Sequence, residues 1–303
     1  MPDISVIMPV YNAEKYLRRT LENLAKQTFS NFEVLMVNDH SEDNTQDIIN
    51  EFSAKDSRFK VFQNVQKGVS SARNVGLEKS TGKFIIHHDA DDLMPNNALE
   101  ILYNEALKSH SDVVIGNYIV KFDNKEKIEK HSAEKDPEKL INDLIHNKFH
   151  AGLWNKLIRK EFYENLKFDE DINYMEDKLI LTQIFIKQPG ISYMDEVVYS
   201  YIQYPESITN TLSDKSLESI SKVIRNLDNI FKINNLDYDL TYLKAYYKLL
   251  ALLNRKRIEF KNEFKEVNSK ILQISDISIH HRILLMLKVY NLGFLSDIYT
   301  KFR

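Results

Sequence analysis

Two hydrophobic periods alternate along the first part of the chain. Short, nearly continuous apolar runs are separated by stretches in which apolar residues recur every three or four positions. "ISVIMPV" (Ile4–Val10) predicts a buried parallel strand, and "FEVLMVND" (Phe32–Asp39), "FKVFQN" (Phe59–Asn64) and "KFIIHHD" (Lys83–Asp89) predict three more strands. Glu14–Thr28 predicts a helix with Tyr16, Leu17, Leu21 and Leu24 on one face. Ser41–Lys55 predicts a second helix, with Ser41 placed to cap it. Ser70–Ser80 and Asn96–Ser109 predict two more, and Asp112–Phe122 a strand or the start of a hairpin. Strands alternating with helices imply an α/β fold with a mostly parallel sheet. The pattern is mixed from about Asn142 to Asn210 and helical after Ser213, most clearly over Leu240–Phe260. A boundary near Thr211 divides the chain into a 1–210 domain and a 211–303 helical domain.

A mostly parallel sheet binds its ligands outside the carboxyl ends of its strands. The residues there are Pro9, Tyr11 and Asn12, then Asn38 and Asp39, then Asp89, Asp91 and Asp92. Asp89 and Asp91 stand two apart, which puts both carboxylates on one face of an extended chain. Such a pair repels unless a cation lies between them or one is protonated. Hard oxygen donors favour Mg²⁺ or Mn²⁺, completed by the phosphates of a substrate. Taken alone, the same aspartates also read as a charged loop capping the next helix. His87 and His88 point to opposite faces of a regular strand, and at least one should be a wall residue rather than a ligand. Asp39 suits a base N–H or a ribose hydroxyl, and Tyr11 a wall against a base. Trp154 suits a sugar ring or the core.

Composition narrows this reading. The net charge of -3 over 303 residues gives no basic field for nucleic acid. No cysteine is present, which excludes disulfides, cysteine zinc sites and thiol nucleophiles and fits a reducing cytoplasm. Neither a G-x-x-x-x-G-K-[ST] loop nor a G-x-G-x-x-G fingerprint occurs. No long uninterrupted apolar run predicts a membrane span. Ile279–Phe302 carries apolar positions at helical spacing with basic residues between. That suits a peripheral membrane face, a homo-oligomer surface or, more plainly, a helix packed on its own domain.

Five segments in order, "SVIMPVYNAEKYLRRTLENLAKQTF", "FEVLMVNDHSEDNT", "GVSSARNVGLEKSTGKFIIHHDADD", "WNKLIRKEF" and "YMEDKLI", resemble the family 2 glycosyltransferases of GT-A (Rossmann-like) fold. The resemblance covers about Ile4 to Thr209. It implies an inverting enzyme that uses a nucleotide-sugar donor, most often a UDP-sugar, and a glycan or lipid-linked acceptor. Such enzymes commonly build surface polysaccharide or lipopolysaccharide in the cytoplasm or at the inner face of the cell membrane. By match, Pro9, Tyr11 and Asp39 would contact the nucleoside, with Asn12 beside them, and Arg73 would help hold the donor. Asp91 would be the main metal ligand, with Asp89 on the ribose or supporting the metal, and Asp177 the general base with Glu176 next to it. The helix start at Glu176–Asp177 would lower both carboxyl pKa values. Where many members carry a basic "YRQREGSIT"-like segment, this chain has "YIQYPESIT" (Tyr201–Thr209), so closure over the diphosphate falls to other groups, with Lys156 a candidate. The rival readings are a D-x-D phosphotransferase or sugar nucleotidyltransferase and a non-catalytic sugar-binding module.

Overall fold

The computed structural model describes residues 1–122, 125–131, 134–204, 212–254, 262–290 and 292. The expected boundary at Thr211, most of Tyr201–Thr209 beyond Tyr204, the end of Leu240–Phe260 and the end of Ile279–Phe302 lie outside the described residues.

The chain divides into two compact units: residues 1–141 with 149–207, and residues 142–148 with 208–303. The first is built on strands β1 (Ile4–Val10), β2 (Phe32–Asn38), β3 (Phe59–Gln63), β4 (Phe84–His87), β5 (Val113–Phe122), β6 (Lys125–Glu129), β7 (Lys156–Arg159) and β8 (Ile191–Ile202). They form one sheet in the order β3-β2-β1-β4-β7-β5-β6, with β8 on the other edge of β5. The first four run parallel, β7 is antiparallel to β4 and β5, and β8 is parallel to β5. The sheet is flanked by α1 (Leu17–Ala25), α2 (Thr45–Lys55), α3 (Val69–Lys79), α4 (Ala98–Ser109) and α6 (Glu176–Ile186); α5 (Pro137–Ile145) leads from the first unit to the second.

Strands β1, β2 and β4 form because each is largely apolar and buried on both faces, whereas β3 at the sheet edge is only partly buried. Every residue of β2 is buried, Glu33 included. That charge is supported by hydrogen bonds from Ser5 Oγ at 2.6 Å, the Thr81 N–H at 2.7 Å and Lys60 Nζ at 2.6 Å. Helix α1 starts three residues later than the pattern predicts. Glu14 is committed to the next loop, where its carboxylate accepts from Asn44 and its N–H donates to Asp43. Ser41 does not cap α2: its hydroxyl accepts from the Asn12 N–H at 3.0 Å, and the turn before α2 is closed by Asp43 accepting from the Thr45 N–H.

The β1–β4 ladder ends for a chemical reason. The His88 N–H donates to Ile7 O at 2.9 Å. The next donor along that edge of β1 would be residue 9, a proline with no N–H. Beyond His88 the chain leaves the sheet and carries Asp89, Asp91 and Asp92 away from it.

The second unit is helical. Helix α7 (Asp214–Ile233) opens on a capping box between Ser213 and Ser216 and buries Leu217, Ile220, Ile224, Leu227 and Phe231 along one stripe. Helix α8 (Thr241–Leu253) follows, then a 3-10 segment Lys265–Gln273 and α9 (Ile279–Val289), capped by Ser278. The short segment 142–148 belongs here through His146, stacked on Tyr242 with ring centres 5.2 Å apart, and Lys148, 3.3 Å from Asp276. Among the described residues no helix is long and apolar enough to cross a membrane.

Candidate active site

The loops after β1 and β2 are knitted together. Asn12, with φ +45°, accepts from the Glu42 N–H at 2.8 Å and donates its own N–H to Ser41. Tyr11 is half open to solvent, and Lys67 lies across its ring, 4.5 Å from the centre and 3.1 Å from the hydroxyl. Asp39 is buried and accepts from the Gly68 N–H at 2.9 and 3.0 Å and from Asn64 Nδ2 at 2.6 Å. Its carboxylate thus fixes the turn into α3 while keeping unused acceptor capacity. Pro9 sits between these loops and the end of β4, paired with Val37.

The acidic loop after β4 separates into three roles. Asp92 is fully buried. It accepts from Tyr199 Oη at 2.9 Å and from the Ile202 N–H at 2.7 Å. Burial, then the neighbouring Asp89 and Asp91, push its carboxyl well above the usual range, so it is an internal strut. Asp91 faces a partly enclosed space, and burial together with Asp89 raises it to about 6. Its carbonyl is held by Arg19 Nη2 at 2.8 Å. Asp89 keeps 36% of its side-chain surface open and stands 3.9 Å from Arg73; burial still raises its carboxyl, with Arg73 opposing. Both histidines are interior. His88 Nδ1 lies 2.8 Å from Asp89 O with its ring edge-on to Tyr199, and His87 lies between Tyr163 and Phe168. Among the described residues no three His, Asp or Glu side chains form a metal-ligand group. Asp89 and Asp91 therefore offer two hard oxygen donors, and the pair fits a Mg²⁺ or Mn²⁺ that takes its remaining ligands from phosphate and water.

Glu176 and Asp177 open α6, just after Met175 at φ +64°. Both reach the same guanidinium. Arg73 Nη1 is hydrogen-bonded to Glu176 Oε1 and stands 3.2 Å from Asp177 Oδ1. Arg73 is itself buried; burial works against its charge, and Asp177, Glu176 and Asp89 outweigh that and keep it protonated. The expected lowering of the Asp177 pKa by the helix start is overturned. Burial pushes this carboxyl up to about 7, aided by Glu176 and Asp89, against the pull of Arg73 and Lys156. Lys156 is fully enclosed, and its three protons go to His150 O, Gly152 O and Asn155 Oδ1 at 3.0, 2.6 and 2.8 Å, which leaves none for a diphosphate. Burial lowers its ammonium to about 7. Trp154 is core, stacked on Tyr199 with centres 4.5 Å apart.

The end of β4 and the start of α6 thus bring Asp89, Glu176 and Asp177 around one buried arginine, Arg73. Tyr199 and Asn74 take part as well, without a sequence signal that singles them out. The sequence model for glycosyl transferase family 2 matches residues 5–167, more than half of the chain, and the chain belongs to that family. The curated relative described as the uncharacterized glycosyltransferase EpsJ of Bacillus subtilis is 31% identical over 219 residues, 69% of this chain, and the match spans 63% of EpsJ. A Campylobacter jejuni protein named GalNAc(5)-diNAcBac-PP-undecaprenol beta-1,3-glucosyltransferase is 25% identical over 285 residues, 89% of this chain and 90% of its own length. The crystal structure of S. aureus TarS 1-349 with UDP-GlcNAc superposes with a TM-score of 0.70 at 20% identity, covering 100% of this chain and 93% of that one, so the two share a fold.

Proposed function

We propose that the protein transfers a sugar, with inversion, from a nucleoside-diphosphate sugar of the UDP class to a hydroxyl of a glycan or lipid-linked acceptor, in the assembly of a surface polysaccharide. The observation that carries this reading is that one guanidinium, Arg73, stands 3.9 Å from Asp89 through Nη2 and 3.2 Å from Asp177 through Nη1, which sets the acidic loop after β4 beside a second carboxyl that burial raises to about 7. The UDP-GlcNAc bound by TarS and the undecaprenyl-linked acceptor named for the Campylobacter relative support the two substrate classes.

In this mechanism Tyr11 and Asp39, with Pro9 and Asn12 shaping their loops, line the nucleoside site, and Asp89 faces the ribose side of the donor. Asp91 and Asp89 would hold Mn²⁺ or Mg²⁺, which would supply positive charge to neutralise the departing diphosphate. Asp177 accepts the proton of the acceptor hydroxyl. The acceptor oxygen bonds to the anomeric carbon, the bond from that carbon to the diphosphate oxygen breaks, and its electron pair leaves with the nucleotide. A base with a pKa near the working pH suits this task. Glu176 shares the charge of Arg73 and so leaves Asp177 less fully neutralised.

The test is a panel of nucleotide sugars with Mn²⁺ or Mg²⁺, read as thermal stabilisation and as nucleotide release. Stabilisation by UDP or a UDP-sugar is expected. Unchanged donor turnover in both Asp91→Ala and Asp177→Ala would sink the assignment of these residues.

A further inference from the structure

Helix α3 begins in the donor half of the cleft and runs along the segment that delivers Asp177. At its start the Gly68 N–H is held by Asp39. In its first turn Ser70 Oγ donates to Ile172 O. Further along, Asn74 closes a two-bond ring on one peptide position: its Nδ2 donates to Phe168 O at 2.9 Å, and the Phe168 N–H donates to its Oδ1 at 2.8 Å. A side-chain amide used this way reproduces the paired bonds of a β-ladder rung. The segment 168–175 has no helix or strand of its own, so its backbone groups depend on such bonds. It ends at Met175, whose left-handed φ persists only where the surroundings hold it. The very next residues are Glu176 and Asp177, both paired with Arg73.

We infer that Asn74 and Arg73, neighbours on α3, are positioning residues for Asp177: Asn74 fixes the path of the 168–175 segment and Arg73 fixes the carboxylate at its end. Through them the helix that opens at the donor pocket also sets the base. This rests on the reading of Asp177 as the base. Arg73 acts here on the Asp177 carboxylate, while its other nitrogen stands 3.9 Å from Asp89.

The experiment uses the full chain, with Asn74→Ala, Arg73→Lys and Asp177→Asn in parallel. Amide hydrogen exchange of the ligand-free protein reads the segment, calorimetry with UDP and Mn²⁺ reads the donor pocket, and release of UDP from the best-turned-over UDP-sugar reads catalysis. Asn74→Ala is expected to speed exchange over residues 168–177 by about tenfold, because two hydrogen bonds are lost, with β1 and β2 unchanged. Both Asn74→Ala and Arg73→Lys should lower kcat by about tenfold or more while donor KM and UDP affinity stay within about twofold. Native exchange over 168–177 in Asn74→Ala overturns the inference, as does a loss in Arg73→Lys that lies in UDP affinity with kcat intact. If Asp177→Asn keeps native turnover, the base reading fails by itself and the exchange result still decides whether Asn74 holds the segment. If Asp177→Asn is inactive while the two α3 variants turn over normally, the base stands and this inference falls.

Discussion

Tyr199 Oη donates to Asp92 Oδ2 at 2.9 Å and accepts from the Asp89 N–H at 3.1 Å. One hydroxyl on β8 therefore joins the first and last aspartates of the acidic loop, and the Asp89 peptide cannot shift without disturbing Asp92. Tyr199→Phe strands both groups in a buried setting, with an expected loss of about 1–3 kcal/mol. Urea denaturation checks this, and a wild-type midpoint would contradict it. The variant should also bind UDP with Mn²⁺ more weakly, since Asp89 loses its anchor.

Donor turnover should rise with pH through about 7, as Asp177 releases the proton that burial holds on it. Asp177→Asn should lower kcat by roughly 10²–10⁴ and leave UDP binding intact. A pH–rate profile flat between pH 6 and pH 8 would count against Asp177 as the base.

Asp91 gives a prediction about stability. Its folded carboxyl titrates near 6, above the 3.8 of a free aspartate. Between those values the folded chain keeps a proton that the unfolded chain has released, so stability falls as pH rises across that window and stays lowered beyond it. Asp91→Asn removes this penalty. The variant should melt above the wild type at pH 8, with a smaller difference at pH 5. Mn²⁺ with UDP should raise the wild-type Tm at pH 8 and move the variant little. Equal Tm differences at the two pH values would refute the account.

Gly68 combines φ +144° with a position where an added Cβ would stand 2.7 Å from Asn173 Oδ1. Gly68→Ala is therefore expected to cost about 1–3 kcal/mol, a strain term with contact added. Because Asp39 takes its bonds from the same Gly68 N–H, UDP affinity should fall as well. Thermal melting and calorimetry check the two effects separately.

Much of the first unit was legible because three of its strands are buried on both faces: Ile4–Val10, Phe32–Asn38 and Phe84–His87 match the runs that predicted them. The positions of Asp39, Asp89 and Asp91 at strand ends followed from the same rule. What was not legible depends on contacts between distant segments. Strand β8 carries Asp195 and Glu196 in its middle and pairs with β5 across a register shift, so no clean period marks it. Asp92 looks like one more ligand in "DADD" until Tyr199 and the Ile202 peptide are seen to enclose it. Lys156 looks like a free cation until the carbonyls around it are counted. The rise in the Asp177 pKa is a burial effect, which a helix-dipole argument made from sequence cannot weigh.

The imino nitrogen at Pro9 has a consequence for how the cleft is made. The strands on either side of it come from distant parts of the sequence, and they part where the chain has no proton to offer. The opening thus has a covalent cause at the strand itself, beside the contacts that Tyr199 and Arg19 make with the acidic loop. An alanine at this position would supply the donor that the next rung of the β1–β4 ladder lacks, directly beside the segment that carries the aspartates.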